Sequence, residues 1–90
     1  MRWSDQVNNG WKHIVDALEY ASANYEDIQV FQIKEKFGTL RFYCSGGGEE
    51  FQTLVDLAEA QSSITCEICG NSGKLKNDKG WLRTMCDNHD

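Results

Sequence analysis

Apolar side chains return every three or four residues along the first third of the chain: Val7, Trp11, Ile14, Val15, Leu18, Ala21 and Tyr25. That spacing forms one stripe on a helix and predicts an α-helix of about five turns. Ser4 is the expected N-cap, with Asp5 in the first turn favouring a helix start. Gly10 inside the stripe costs about 1 kcal/mol relative to Ala, which leaves a later start open. The polar run Ala23-Asn24-Tyr25-Glu26-Asp27 ends the helix.

From Ile28 to Cys44 the period changes to two. Phe31, Ile33, Leu40, Phe42 and Cys44 alternate with Gln32, Lys34, Arg41 and Tyr43, and Phe37-Gly38 divides the two runs. This is a β-hairpin pattern. Pairing Lys36 with Thr39 sets Ile33 opposite Phe42 and Phe31 opposite Cys44 on an apolar face. Lys34 then opposes Arg41, and Gln32 opposes Tyr43, on a polar face. A slip by one residue would mix the faces, so the alternation selects this register.

Ser45-Gly46-Gly47-Gly48 reads as a flexible joint. Beyond it Phe51, Leu54, Val55, Leu57 and Ala58 mark a second amphipathic helix of about four turns, with Glu49 and Glu50 in its first turn. The order helix, hairpin, helix and C-terminal lobe predicts an α+β fold. Residues 1–65 form the α-β-β-α core, and residues 66–90 a zinc ribbon packed on it as one unit.

The lobe carries the most definite chemistry. Cys66-Glu67-Ile68-Cys69-Gly70 is followed by Cys86-Asp87-Asn88-His89. Two donor pairs, each with a two-residue gap, suit the tetrahedral site that Zn²⁺ prefers. Lys74-Leu75-Lys76 and Trp81-Leu82-Arg83-Thr84-Met85 supply two short strands around Asn77-Asp78-Lys79-Gly80, the layout of a zinc ribbon. Cys66, Cys69, Cys86 and His89 are therefore the expected ligands of one structural Zn²⁺. Four protein ligands leave no open position of the kind catalytic zinc keeps. Cys44 is an alternative donor, but its place on the apolar hairpin face marks it as a small core residue.

Composition narrows the classes. Ninety residues with 40% apolar side chains allow one small domain that a metal clip would stabilise. No apolar run approaches a membrane span, and Met1-Arg2-Trp3-Ser4-Asp5 does not open a secretory signal, so the expected location is the cytoplasm. The net charge is −5. Residues 1–27 carry two cations and five anions, and residues 49–65 carry four anions and no cation. Residues 28–48 hold Lys34, Lys36 and Arg41 against Glu35. Nucleic acid is a poor partner for such a balance, because phosphate affinity needs concentrated Lys and Arg.

Two surfaces have binding chemistry. Gln32, Lys34, Arg41 and Tyr43 on the polar hairpin face join two cations, an amide and a ring. Such a set suits a small anionic ligand, with Arg41 as its bidentate anchor, although a solvated sheet face has the same composition. Trp81 is the expected contact with a partner or with the hairpin. Gly46-Gly47-Gly48 is not a phosphate loop, because Glu49 and Glu50 follow it and would repel an anion. No nucleophile–base pair stands out, and no enzymatic activity is expected.

The run Ile33-Lys34-Glu35-Lys36-Phe37-Gly38-Thr39-Leu40-Arg41-Phe42-Tyr43, the Cys66–Cys69-Gly70 knuckle, and Gly80-Trp81-Leu82-Arg83-Thr84 leading to Cys86 and His89 together resemble a group of small bacterial and phage proteins. The resemblance covers about residues 28–90 and brings no established activity or binding residues with it. It implies a bacterial or phage source. By analogy with small phage proteins it also suggests binding of a host component, nucleotide signals of host defence included. The expected function is a non-enzymatic binding protein working through a protein partner or self-assembly. The alternatives are sequestration of an anionic nucleotide on the hairpin, as in phage anti-defence, and a nucleic-acid-binding ribbon.

Overall fold

A computed structural model describes residues 2–89 of the chain. Met1 and Asp90, the outer ends of the two expected spans, lie outside the described residues. The fold is α+β: two helices, a long hairpin and a small second hairpin in the C-terminal lobe.

The N-terminal stripe does not form one helix. Trp3–Gln6 and Asn9–Trp11 are separate 3₁₀ turns, and helix α1 spans only Lys12–Ser22, about three turns instead of five. Ser4 is not an N-cap. It sits buried inside the first 3₁₀ turn, where Arg2 holds the cap position. The cause of the break is visible at Gly10. Its N–H donates 2.9 Å to the carbonyl of Glu67, and a Cβ there would stand 2.0 Å from the carbonyl oxygen of Cys66. The glycine marks a close approach of two backbones that a continuous helix would forbid.

Strands β1 (Gln29–Lys36) and β2 (Thr39–Ser45) pair antiparallel, with Lys36 opposite Thr39, Lys34 opposite Arg41, Ile33 opposite Phe42 and Gln32 opposite Tyr43. Phe37 and Gly38 both have positive φ, 54° and 83°. A two-residue loop of the I′ kind requires this at both positions and matches the strand twist. The register shifts between Val30 and Gln32, and Val30 rather than Phe31 lies opposite Cys44. Phe31, expected on the apolar face, is 59% exposed. The bulge inserts one residue and reverses the alternation there. Inward at that end, Tyr25, Phe42 and Phe51 already pack edge to face.

Helix α2 spans Gly48–Ser62. The Gly46–Gly48 corner before it is held in place: the Gly47 N–H donates 3.1 Å to the Asp27 carboxylate. Phe51, Val55 and Ala58 face inward. They close one core with Trp11, Ile14, Val15 and Leu18 from the N-terminal side and Ile33, Leu40 and Phe42 from the hairpin. The C-terminal turns of α2 also lie along β2. The Ser62 hydroxyl accepts from the Leu40 N–H at 2.8 Å, and the Glu59 carboxylate accepts from the Phe42 N–H at 2.9 Å. Among the described residues no helix is long and apolar enough to cross a membrane.

In the C-terminal lobe β3 (Lys74–Lys76) pairs antiparallel with β4 (Arg83–Met85), setting Leu75 opposite Thr84. Hydrogen bonds tie this lobe to the rest. The Trp11 indole N–H donates 2.9 Å to the carbonyl of Thr65, and the buried Thr84 hydroxyl donates 2.7 Å to the carbonyl of Gly38. The Gly10–Glu67 bond adds a further tie.

Candidate metal centre

Cys66, Cys69, Cys86 and His89 converge, and their ligand atoms all lie within 4.8 Å of one another. The first pair sits on a tight turn closed by the Gly70 N–H, which donates 2.9 Å to the Cys66 carbonyl. The second turn is closed in the same way, by the His89 N–H donating 3.2 Å to the Cys86 carbonyl. Two similar turns, each anchored to one end of the small hairpin, bring the donors to one point. The spacing read from the sequence becomes geometry here.

The separations suit a single ion. Cys69 Sγ and Cys86 Sγ are 3.6 Å apart, and His89 Nδ1 stands 3.1 Å from Cys86 Sγ and 3.9 Å from Cys66 Sγ. A tetrahedral zinc with ordinary bond lengths separates its sulfurs by about 3.8 Å, and sulfur from nitrogen by about 3.5 Å. Three thiolates and one imidazole are also the soft and borderline donors that zinc takes in structural sites. The residues fit a metal ion. Cys66 and Cys86 are buried, whereas Cys69 and His89 face solvent, so one side of the centre is open to exchange.

The local field prepares Cys66 for metal. Burial pushes its thiol up, but the backbone amides of Cys86, Cys69 and Ile68 and the Cys86 thiol outweigh it and set its pKa at about 6. The Asn71 amide draws the Cys69 thiol down, yet partial burial and the neighbouring Cys86 and Cys66 sulfurs leave it raised overall. One sulfur ionises first, and its charge then holds the proton on the next. A divalent cation removes that conflict by taking all the thiolates together. Cys44 lies apart from this group, packed against the core on the inner face of the hairpin, where burial raises its thiol.

Sequence reasoning overlooked several residues that support the centre. Glu67 sits between the knuckle and the long hairpin; burial, with Glu35 and the Cys66 sulfur nearby, pushes its carboxyl up. Arg83 is buried at 4% exposure and donates to Asp78 at 2.7 Å across the ribbon loop. Gly10 and Gly38 accept the lobe against their backbones. The one sequence signal for any of these was the misfit of Gly10 in a helical stripe.

The structure also places the other expected site residues. Gln32, Lys34, Arg41 and Tyr43 do share the outer face of the hairpin, with the Lys34 ammonium 5.8 Å from the Tyr43 ring centre. Arg41 Nε is buried and has no hydrogen-bond partner among the described residues. Trp81 is 58% exposed, its ring covered on one side by the Arg83 guanidinium at 5.4 Å. Helices α1 and α2 leave between them an apolar groove of about 320 Å³, lined in part by Ala17, Ala21, Leu54 and Leu57.

Comparison of the chain with protein-family models, with curated proteins and with solved structures finds no match.

Proposed function

We propose that this is a non-enzymatic, zinc-stabilised binding protein of bacterial or phage origin, working in the cytoplasm through a protein partner or self-assembly. The observation that carries the reading is the convergence of four protein donors on one point. A four-coordinate zinc held this way keeps no position for substrate, so its contribution is to the fold of the lobe. The ordered lobe then presents Trp81, and the remaining surface carries Phe31, Leu57 and Ile64, each more than half exposed. Large apolar side chains displayed in this way are the material of protein interfaces. The test is site-specific photo-crosslinking in cells from Phe31, Leu57, Ile64 and Trp81, paired with light scattering of the purified metal-loaded chain. Discrete cross-links or a defined oligomer support the reading. A strictly monomeric chain with no cross-link at any position sinks it.

A second reading is sequestration of an anionic nucleotide at Gln32, Lys34, Arg41 and Tyr43. It is favoured by the unpartnered Arg41 Nε beside Lys34 and the Tyr43 ring. Calorimetric titration with cyclic and linear nucleotides decides it: heat that Arg41→Ala abolishes supports the site, and no heat from any nucleotide removes it.

A further inference from the structure

The binding-protein reading leaves the docking surface and the partner's chemistry open, and a surface assigned to that partner rests on the same reading. The Gly38 backbone is seated on the ribbon: a Cβ at Gly38 would lie 2.6 Å from Leu75 Cδ1 and 2.9 Å from the Arg83 nitrogen. This seat joins the tip of the long hairpin to the strands of the small one. Phe37, Leu75 and Trp81 therefore share one end of the molecule, and they are 63%, 48% and 58% exposed. We infer that this junction is a docking surface for an acidic segment of a partner protein.

Two observations give the junction its character. The first is preorganisation. The Arg83 guanidinium that lies against the Trp81 ring is itself buried and tied to Asp78, so the ring rests on a fixed mount. The Lys36 ammonium sits 5.5 Å from the Phe37 ring centre. Aromatic side chains held before binding lose little rotamer freedom on contact, which is how a few residues come to dominate an interface.

The second is charge. Lys36, Lys74 and Lys79 lie on the strands and loops of this end, and among the described residues none of them has a carboxylate within ion-pair distance. Helices α1 and α2 carry the opposite sign, with Asp16, Glu19, Glu49, Glu50, Asp56 and Glu59 against Lys12 alone. Of the acids at this end, Asp78 is engaged by Arg83, Asp87 by Lys76, and the Glu35 carboxylate by the Gly38 N–H. The aromatic end therefore shows lysines without ion-pair partners, while the two helices are strongly acidic. An acidic segment with an apolar anchor complements both features. A long polyanion such as nucleic acid must also approach a chain of net charge −5, which works against it.

The test titrates the metal-loaded full chain with a short synthetic Glu/Asp peptide bearing two Phe residues, following backbone amide shifts by NMR. Its Lys counterpart and an oligothymidylate serve as comparison probes. Saturable shifts centred on Phe37, Leu75 and Trp81 are expected from the acidic peptide alone. Affinity should fall at least about tenfold for Trp81→Ala and for the combined variant Lys36→Glu, Lys74→Glu, Lys79→Glu, while Leu57→Ala in the helix groove leaves it unchanged. Each altered side chain is on the surface, and an otherwise unchanged amide spectrum verifies the fold. Absence of saturation, shifts centred on another face, or indifference to Trp81→Ala overturns the inference. So does tighter binding of the oligothymidylate at the same residues, or occupation of the surface by a second copy in light scattering. Cross-links in cells from Leu57 or Phe31 with none from Trp81 would also remove this surface, yet leave the binding-protein reading standing.

Discussion

The Gly10 N–H donates 2.9 Å to the carbonyl of Glu67, the residue next to Cys66 of the candidate metal centre. A methyl group at Gly10 would overlap the Cys66 carbonyl oxygen, and the obstacle is backbone, which cannot swing aside. Gly10→Ala should therefore push the lobe off the core and cost about 2 kcal/mol or more. Urea unfolding measures the loss, and a chelator competition should show weaker metal retention in the same variant. An unaltered midpoint and unaltered retention would contradict the contact.

Metal content is the most direct check on the centre. Chain purified without chelator should contain one equivalent of zinc, and cobalt substitution should give thiolate-to-metal charge-transfer bands with tetrahedral d–d absorption. Cys66→Ser should release the ion at chelator concentrations that the unaltered chain withstands. Stripping the metal should collapse the amide dispersion of residues 66–89, because this lobe has few buried apolar side chains of its own.

Proton competition sets a pH limit. The Cys66 thiol is held at about 6 in the folded chain, below the ordinary thiol value of about 8.5. A depressed acid stabilises the fold fully above its unfolded value and loses that contribution as pH falls toward the folded value. In the loaded chain, metal release should steepen as pH drops past about 6, read by a chromogenic chelator across a pH series.

Two buried hydroxyls test how the elements are joined. Ser62 is fully buried, accepts from Leu40 and donates 2.6 Å to the Glu59 carbonyl. Ser62→Ala leaves the Leu40 N–H without its partner and should cost about 1–3 kcal/mol. Thr84→Val keeps the volume but removes the bond to Gly38, and a loss of about 1–2 kcal/mol is expected. Both are measured by chemical denaturation of metal-loaded protein.

The bulge makes a prediction by contrast. Phe31→Ser should shift stability by no more than about 0.5 kcal/mol, since the ring is largely in solvent. Phe42→Ala, from the core of the same hairpin, should cost about 3–5 kcal/mol. Equal effects would restore the uninterrupted alternation.

How much of this was legible in the chain depends on how local the signal is. The hairpin from Gln32 to Tyr43 was readable because two-residue alternation and a central Phe-Gly pair fix register together. The gathering of Cys66, Cys69, Cys86 and His89 was readable because ligand spacing is a local constraint on a turn. The bulge at Phe31 was not, since Val30 and Phe31 are both apolar and either could face inward. The first helix was overextended because Val7 and Trp11 keep helical spacing while lying in or between 3₁₀ turns. What ends the helix there is Glu67, more than fifty residues away, and no window of sequence includes both. Thr84 was invisible for the same reason, its partner being the distant Gly38 carbonyl. Arg83 pairs with Asp78 only five residues away, but nothing in the local pattern marks an arginine there for burial.

The bonds from Ser62 and Glu59 to the outer margin of β2 have one more effect. A foreign strand seeking to extend this small sheet finds the Leu40 and Phe42 donors already engaged, and on the other margin the extra residue at Phe31 breaks the hydrogen-bonding rhythm. An added strand would thus meet an interrupted template on either flank of this sheet.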